Sequence, residues 1–238
     1  MVIVFGRKIY GTVEESGGSS VQTQFVHVYY LPLIPIGSYL MLGKNDRGAA
    51  IGRKIPLHLP SVLAGYLRAW GYVGILACVA FALTSSDSRV QALFWLLLGL
   101  YAVGVVVWSY RRLGKLSRER RGQYAAYASV SGYACDAGIL ARTDPAFAEN
   151  LRADVTTRAR GLMSAGYRTA FDPATGWADV AKDPTVMDRS FLEACLTLAR
   201  AEMARSHGSE RRRFRKVHDD LWQRIRALQP PALPGPNA

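Results

Sequence analysis

Apolar and polar positions divide this chain into three stretches with different periods. Through residue 60, apolar and β-branched runs at 2–5, 8–13, 21–30 and 38–42 alternate with Gly6, Gly11 and Gly17-Gly18, the pattern of short strands joined by tight turns. From 62 to 110 the chain is apolar almost throughout, interrupted by Arg68 and by the polar turn at 84–89. Beyond residue 121 apolar positions recur every three or four residues, as on one face of a helix. The expected fold is an α+β membrane protein. It comprises a small N-terminal β-domain (1–60), a two-helix transmembrane hairpin (61–110, spans about 62–84 and 90–110), a basic juxtamembrane strip with a C-terminal α-helical domain (111–228), and a disordered tail (229–238).

The second span is the clearer, because residues 90–110 carry no charge over 21 positions. At 1.5 Å per residue that makes roughly 32 Å of helix, against a bilayer core of about 30 Å. Arg68 interrupts the first span near its start, beside Trp70 and Tyr72. An arginine costs about 2.5–3.5 kcal/mol at mid-bilayer but can snorkel from a helix end while neighbouring aromatics settle at the interface, so 62–84 stands as a span. Small residues at Gly71, Gly74, Ala77 and Ala80, and at Gly99 and Gly104, offer helix-packing faces.

Within the N-terminal domain, the run 25–30 is expected to be the central strand, with His27 a packed residue rather than a ligand. Pro32 and Pro35 follow it; lacking a backbone N–H, they imply an edge or a rigid bend. In the C-terminal domain, Tyr124, Tyr127, Ser131, Ala134 and Gly138 predict one helix over 122–140. Whether it continues from the second span is open. Asp144-Pro145 opens a helix over 145–165, and a loop with Asp172, Asp179 and Asp183 occupies 166–188. Ser190 and Glu193 are spaced as a capping box. A last helix over 210–228 sets Phe214, Val217, Leu221, Trp222, Ile225 and Leu228 on one side.

Charge then fixes orientation. The formal net charge is +12, concentrated after the second span in Arg111, Arg112, Lys115, Arg118, Arg120 and Arg121 and again in the last helix. Lys44, Arg47, Arg53 and Lys54 precede the first span, whereas the turn between spans holds only Arg89 beside Asp87. Positive-inside bias therefore predicts a multi-pass protein of the cell's inner membrane with both termini cytoplasmic. The candidate membrane-surface contacts are Arg111, Arg112, Lys115, Arg118, Arg211, Arg212, Arg213, Arg215, Lys216 and Trp222, facing anionic headgroups of the lipid bilayer. For the last helix two arrangements stay open: lying in the interface with Trp222 and Phe214 inserted, or packing its apolar side on the preceding helices. Nucleic acid is disfavoured, because no recognition fold accompanies these arginines.

The segment FVHVYYLPLIPIGSY resembles the F…LPLIPxGSY stretch of a group of uncharacterised bacterial membrane proteins. More distantly it is similar to the strand-and-proline segment of small zinc ribbons, without their cysteines. The resemblance implies a shared β-module over about residues 5–42. Cys78, Cys135 and Cys195 are too scattered for a disulfide framework or a zinc site. No motif for catalysis, cofactor or metal binding stands out. The expected function is a non-catalytic membrane-anchored scaffold or adaptor whose cytoplasmic domains bind an unidentified protein partner or form a homo-oligomer. The alternatives are a subunit of an oligomeric channel or transporter and, third, a lipid-acting enzyme.

Overall fold

The computed structural model describes residues 5–44, 50–84, 89–163 and 176–228, in two compact units, Met1–Ser117 and Arg118–Ala238. The first unit begins with an antiparallel sheet in simple meander order: β1 (Phe5–Ser16), β2 (Ser19–Val28), β3 (Leu31–Lys44) and β4 (Ala50–Ile55). It continues with two long helices, α1 (Leu59–Thr84) and α2 (Arg89–Arg111). Sheet and hairpin are one packed body, so the boundary falls after Ser117 rather than at residue 60.

Pro32 and Pro35 lie inside β3 and not in a bend beyond the sheet. They are tolerated for two reasons. β4 pairs only with Ser38–Lys44, which leaves the first half of β3 as a local sheet edge, and the β2–β3 register shifts on both sides of the Phe25–Val26 pair. β4 was not anticipated, since Gly52, Arg53 and Lys54 dilute its apolar signal. β2 and β3 meet in a two-residue turn at Tyr29-Tyr30, both at positive φ (+49° and +66°). Such turns usually take Asn-Gly; for a side-chain-bearing residue this backbone costs about 1–2 kcal/mol.

A chain of buried hydroxyls fastens the sheet to α1. The His58 backbone N–H donates to Ser38 Oγ (2.9 Å), Ser38 Oγ pairs with Thr23 Oγ1 (2.8 Å), Thr23 donates to Ser61 Oγ (2.9 Å), and Ser61 donates to the Gly11 carbonyl (2.6 Å). Ser38, Thr23 and Ser61 are fully buried, so each must find its partner inside the protein. The attachment continues along α1. Gly65 accepts the edge of Phe25 where a Cβ would come within 2.9 Å, the Tyr66 hydroxyl donates to the Leu33 carbonyl (2.6 Å), and the Trp70 indole donates to the Pro32 carbonyl (3.0 Å). Arg68 donates to the carbonyls of Thr12 (2.9 Å) and Ser109 (3.3 Å) and lies over the Tyr110 ring at 4.3 Å. Its charge is thus spread over β1 and α2.

The two long helices pack through small residues and rings. A Cβ on Gly71 would come within 2.3 Å of Val106, Gly99 abuts Cys78, and Phe81 stacks on Trp95 at 4.9 Å. Gly74 and Gly104 face open space. Past α2, Gly114 at φ +73° sits against Val13, and its carbonyl accepts the Glu14 N–H (2.7 Å), so α2 does not run on into the next helix.

The second unit is helical: α3 (Arg118–Ser131), α4 (Ala137–Thr143), α5 (Pro145–Met163), α6 (Gly176–Lys182), α7 (Arg189–Arg205) and α8 (Gly208–Leu228). α7 is its core, buried continuously from Phe191 to Ala199. The single helix expected over 122–140 is two, because Gly132 adopts φ +76° and Asp136 caps a fresh start by accepting from Gly138 N–H (2.7 Å). The cap of α7 is Asp188, which accepts from the backbone of Ser190 and Phe191; Glu193, expected to complete a capping box, binds Arg189 and Ser129 instead. α6 lies within the stretch expected to be a loop. Buried Trp177 stacks on Phe214, and Arg224 donates to the carbonyls of Ala181, Asp183 and Val186 at its end. Residues 2–4 of the first expected run, residues 164–165 of the helix expected over 145–165, Asp172 and the expected tail at 229–238 lie outside the described residues.

The contact at Gly11 can be separated from its backbone strain, because Gly11 and Gly18 share a left-handed backbone (φ +70° and +82°), while a Cβ on Gly11 would come within 1.9 Å of the Ser61 carbonyl and one on Gly18 would meet nothing within 4 Å. Gly18→Ala should cost about 1 kcal/mol through φ alone. Gly11→Ala should cost about 1–3 kcal/mol more, since α1 must move. Thermal unfolding in detergent micelles would read the difference; equal losses would show that the sheet does not press on α1.

Candidate functional surfaces

The first surface is the hairpin itself. Both helices are long and apolar enough to cross a membrane, yet only 6% of the most apolar window of α1 and 11% of that of α2 is buried within the protein. Leu76, Phe81, Leu83, Leu93, Leu96 and Leu100 are all more than half exposed, on several faces. A soluble core helix would bury such residues; here they are presented outward.

The cations sit where the sequence suggested exposure. Arg111 ends α2, and Arg112 and Lys115 follow it, all exposed and all in the sheet-and-hairpin unit. Arg112 edges an apolar groove of about 650 Å³ lined by Leu59, Pro60, Leu63, Tyr66 and Leu113. Arg118 opens α3, and Arg211, Arg212, Arg213, Arg215 and Lys216 are exposed along the first half of α8, in the helical unit. Trp222 does not belong with them. It is buried against Gly122, and its indole donates to Glu119 (3.1 Å), because the apolar side of α8 packs on its own domain. Phe214 is likewise engaged, with Trp177. The interfacial arrangement of α8 with Trp222 inserted is therefore not the one adopted.

A polar cleft of about 390 Å³ in the helical unit escaped the sequence reading. Helical spacing assembles it: Arg120, Gln123, Tyr124 and Tyr127 from one face of α3, Arg200 and Met203 from α7, and Arg215, His218 and Asp219 from α8. Arg200 forks onto Asp136 through Nε–Oδ1 (2.8 Å) and Nη2–Oδ2, so the residue that caps α4 also anchors α7. His218 Nε2 lies 2.8 Å from the Tyr127 hydroxyl and Nδ1 lies 3.1 Å from Asp219 Oδ1. With the imidazole neutral, Nδ1–H donates to the carboxylate and Nε2 accepts the tyrosine proton.

That connectivity is the one a catalytic triad uses, but the electrostatics differ. Burial pushes the Tyr127 hydroxyl well above its ordinary range, the opposite of an activated nucleophile, and only 1% of the residue is exposed. Burial likewise raises the Cys195 thiol, which leaves it a packed apolar group. Among the described residues no group of three or more His, Cys, Asp or Glu side chains is placed to hold a metal. A second groove, about 530 Å³ between α3, α5 and α7, holds Asp154 paired with Arg158 (3.1 Å) and Glu193 bound by Ser129 (2.6 Å) and Arg189 (2.8 Å).

His218 predicts a pH response. Burial, reinforced by nearby Arg200, lowers its pKa below the ordinary value; the Asp219 hydrogen bond and the Asp136 charge oppose this and do not win. Tyr127, Tyr124 and Arg120 of α3 face the same cleft. Because the unfolded chain then binds the proton more tightly, stability is full above about pH 6.5 and falls as pH drops toward the folded pKa. Thermal unfolding of the helical unit within the full chain should show this slope, and His218→Gln should flatten it. Tyr127→Phe, which leaves a buried Nε2 unpaired, should cost about 1–3 kcal/mol at pH 8. A His218→Gln profile as steep as that of the parent would contradict the assignment.

Comparison with protein-family models, with curated proteins and with solved structures finds no match to this chain, which leaves the geometry of its own surfaces as the guide to function.

Proposed function

We propose that the chain is a multi-pass protein of the cell's inner membrane, with both termini cytoplasmic, acting as a non-catalytic scaffold that presents a sheet and a helical domain at the leaflet. The observation that carries this reading is the outward exposure of most large apolar side chains of α1 and α2. Lipid is the solvent such a surface needs. Orientation is supported by the cations at 111–121 against the weakly charged turn between the helices. The scaffold role is supported by the helical domain, where Arg200 pairs with Asp136 and Glu119 accepts from the Trp222 indole, while the cationic side of α8 faces outward. The Arg111, Arg112 and Lys115 cluster would meet anionic headgroups, worth about 1 kcal/mol each at the surface.

Topology and activity are testable on the intact chain. Cys78, Cys135 and Cys195 are buried, so single cysteines at Glu15, Ser86 and Ser209 can be labelled in whole cells against a low background. The chain should resist carbonate extraction, and only the Ser86 probe should react from outside. External labelling at Glu15 or Ser209 would overturn the orientation, release by carbonate would overturn the spanning helices, and ion flux through purified protein in liposomes would favour the channel reading over the scaffold.

A further inference from the structure

Among the described residues, the most exposed apolar cluster outside α1 and α2 is on the sheet. Around the β2–β3 turn, Phe5 is 69% exposed, Tyr30 60%, Ile34 62%, and Tyr29 and Leu33 above 40%. A soluble sheet end normally places polar residues there. This turn carries two tyrosines at positive φ and is held rigid. The Tyr10 hydroxyl donates to the Tyr30 carbonyl (2.6 Å), and the Tyr30 ring stacks on His27 at 5.6 Å with 11° between planes. Lys8 Nζ stands 5.1 Å over the other part of that aromatic pair, the Tyr30 ring, and Arg7 follows Phe5 and Gly6 on the same strand, exposed.

Where the turn lies along α1 follows from the contacts. Thr23 meets Ser61, Phe25 meets Gly65, Leu33 meets Tyr66, and Pro32 meets Trp70. The partners on β2 and on α1 advance together, so β2 runs beside α1 in the same direction and its turn is the end nearest the apolar run. A bilayer core of about 30 Å takes roughly 20 helical residues. Counted back from the end of α1 at Thr84, that reaches about Gly65, before Trp70. The turn, which closes two residues before the Pro32 carbonyl that Trp70 binds, is therefore level with the headgroup boundary or below it. Arg68 at the same depth is consistent with this, because its charge is met by two carbonyls and the Tyr110 ring.

We propose that the β2–β3 turn is a second membrane contact: Phe5, Tyr29, Tyr30, Leu33 and Ile34 insert into the interface of the leaflet that α1 enters, with Arg7 and Lys8 above them against lipid phosphates. The occupant of this patch is the bilayer itself, argued from its continuity with the apolar surface of α1 and from the pairing of an apolar tip with a cationic rim. The proposal rests on the spanning reading of α1 and α2. It goes beyond that reading by making the sheet a lipid-immersed wedge instead of a domain held off the surface. The strained turn then has a use, since Asn-Gly would relax the backbone but remove the two aromatic anchors.

The test places a nitroxide on a single cysteine at Ile34, at Leu97 on α2, or at Glu15 at the opposite end of the sheet, in full-length protein reconstituted into vesicles of phosphatidylcholine and phosphatidylglycerol. Molecular oxygen, which concentrates in lipid, and a nickel chelate, which stays in water, are the collision reagents. The Ile34 label should favour oxygen several-fold over the chelate, as the Leu97 label does, while Glu15 shows the reverse. An Ile34 label as open to the chelate as Glu15, with Leu97 still in lipid, overturns the wedge and leaves the spanning helices standing. Shielding of Ile34 from both reagents overturns it in favour of a protein covering the patch, and a Leu97 label open to the chelate removes the spanning reading and the wedge together.

Discussion

Three hydroxyls with no access to water decide how this protein is put together. A buried hydroxyl without a partner costs on the order of 1–3 kcal/mol, so Ser38, Thr23 and Ser61 form only where β3, β2, α1 and β1 are all in place at once. The donor order is fixed from end to end, since it begins at the His58 amide, which can only donate, and finishes at the Gly11 carbonyl, which can only accept. Slipping any one element breaks the chain for the others. Its result is a sheet fastened to α1, with β2 running beside the helix in the same direction.

The helical unit solves a similar problem with charge. α7 is buried on all sides, so polar groups facing it need internal partners, and Asp136 serves two at once, capping α4 and receiving the Arg200 fork. Tyr127, His218 and Asp219 continue the network to α8. These pairs are only partly buried, so each contributes geometry through its forked or paired hydrogen bonds more than a large free energy. The cleft is thus a feature that specifies the arrangement of α3, α7 and α8, whatever it receives.

What could be read from the sequence was what depends on local period. The two spans, expected at 62–84 and 90–110, correspond to helices at Leu59–Thr84 and Arg89–Arg111, because an apolar surface on all sides writes itself into every position. α5 and α8 were legible from their stripes. Long-range compensation was not. Pro32 and Pro35 left an edge and a bend both open, and the edge is what they occupy, because β4 stops short of them in a way nothing local shows; α6 read as a loop because its seven residues are stabilised by Phe214 and Arg224 from elsewhere. Tyr127 and His218 lie 91 positions apart, so no spacing rule connects them. The exposed basic residues were legible as a group, whereas Trp222 was misplaced, since an amphipathic helix packed on its own domain and one lying on lipid have the same pattern.

The hydroxyl chain makes the sheet and α1 a single mechanical body. Hydrogen exchange of full-length protein in lipid nanodiscs, comparing Ser61→Ala with the parent, tests it directly. The change leaves Thr23 without its acceptor and Gly11 without its donor. Amides of β1, β2 and the first turns of α1 should lose protection together, while those around Gly71 and Gly99 should not. Loss confined to the first turn of α1, with the sheet as protected as before, would show that sheet and helix are joined by proximity alone.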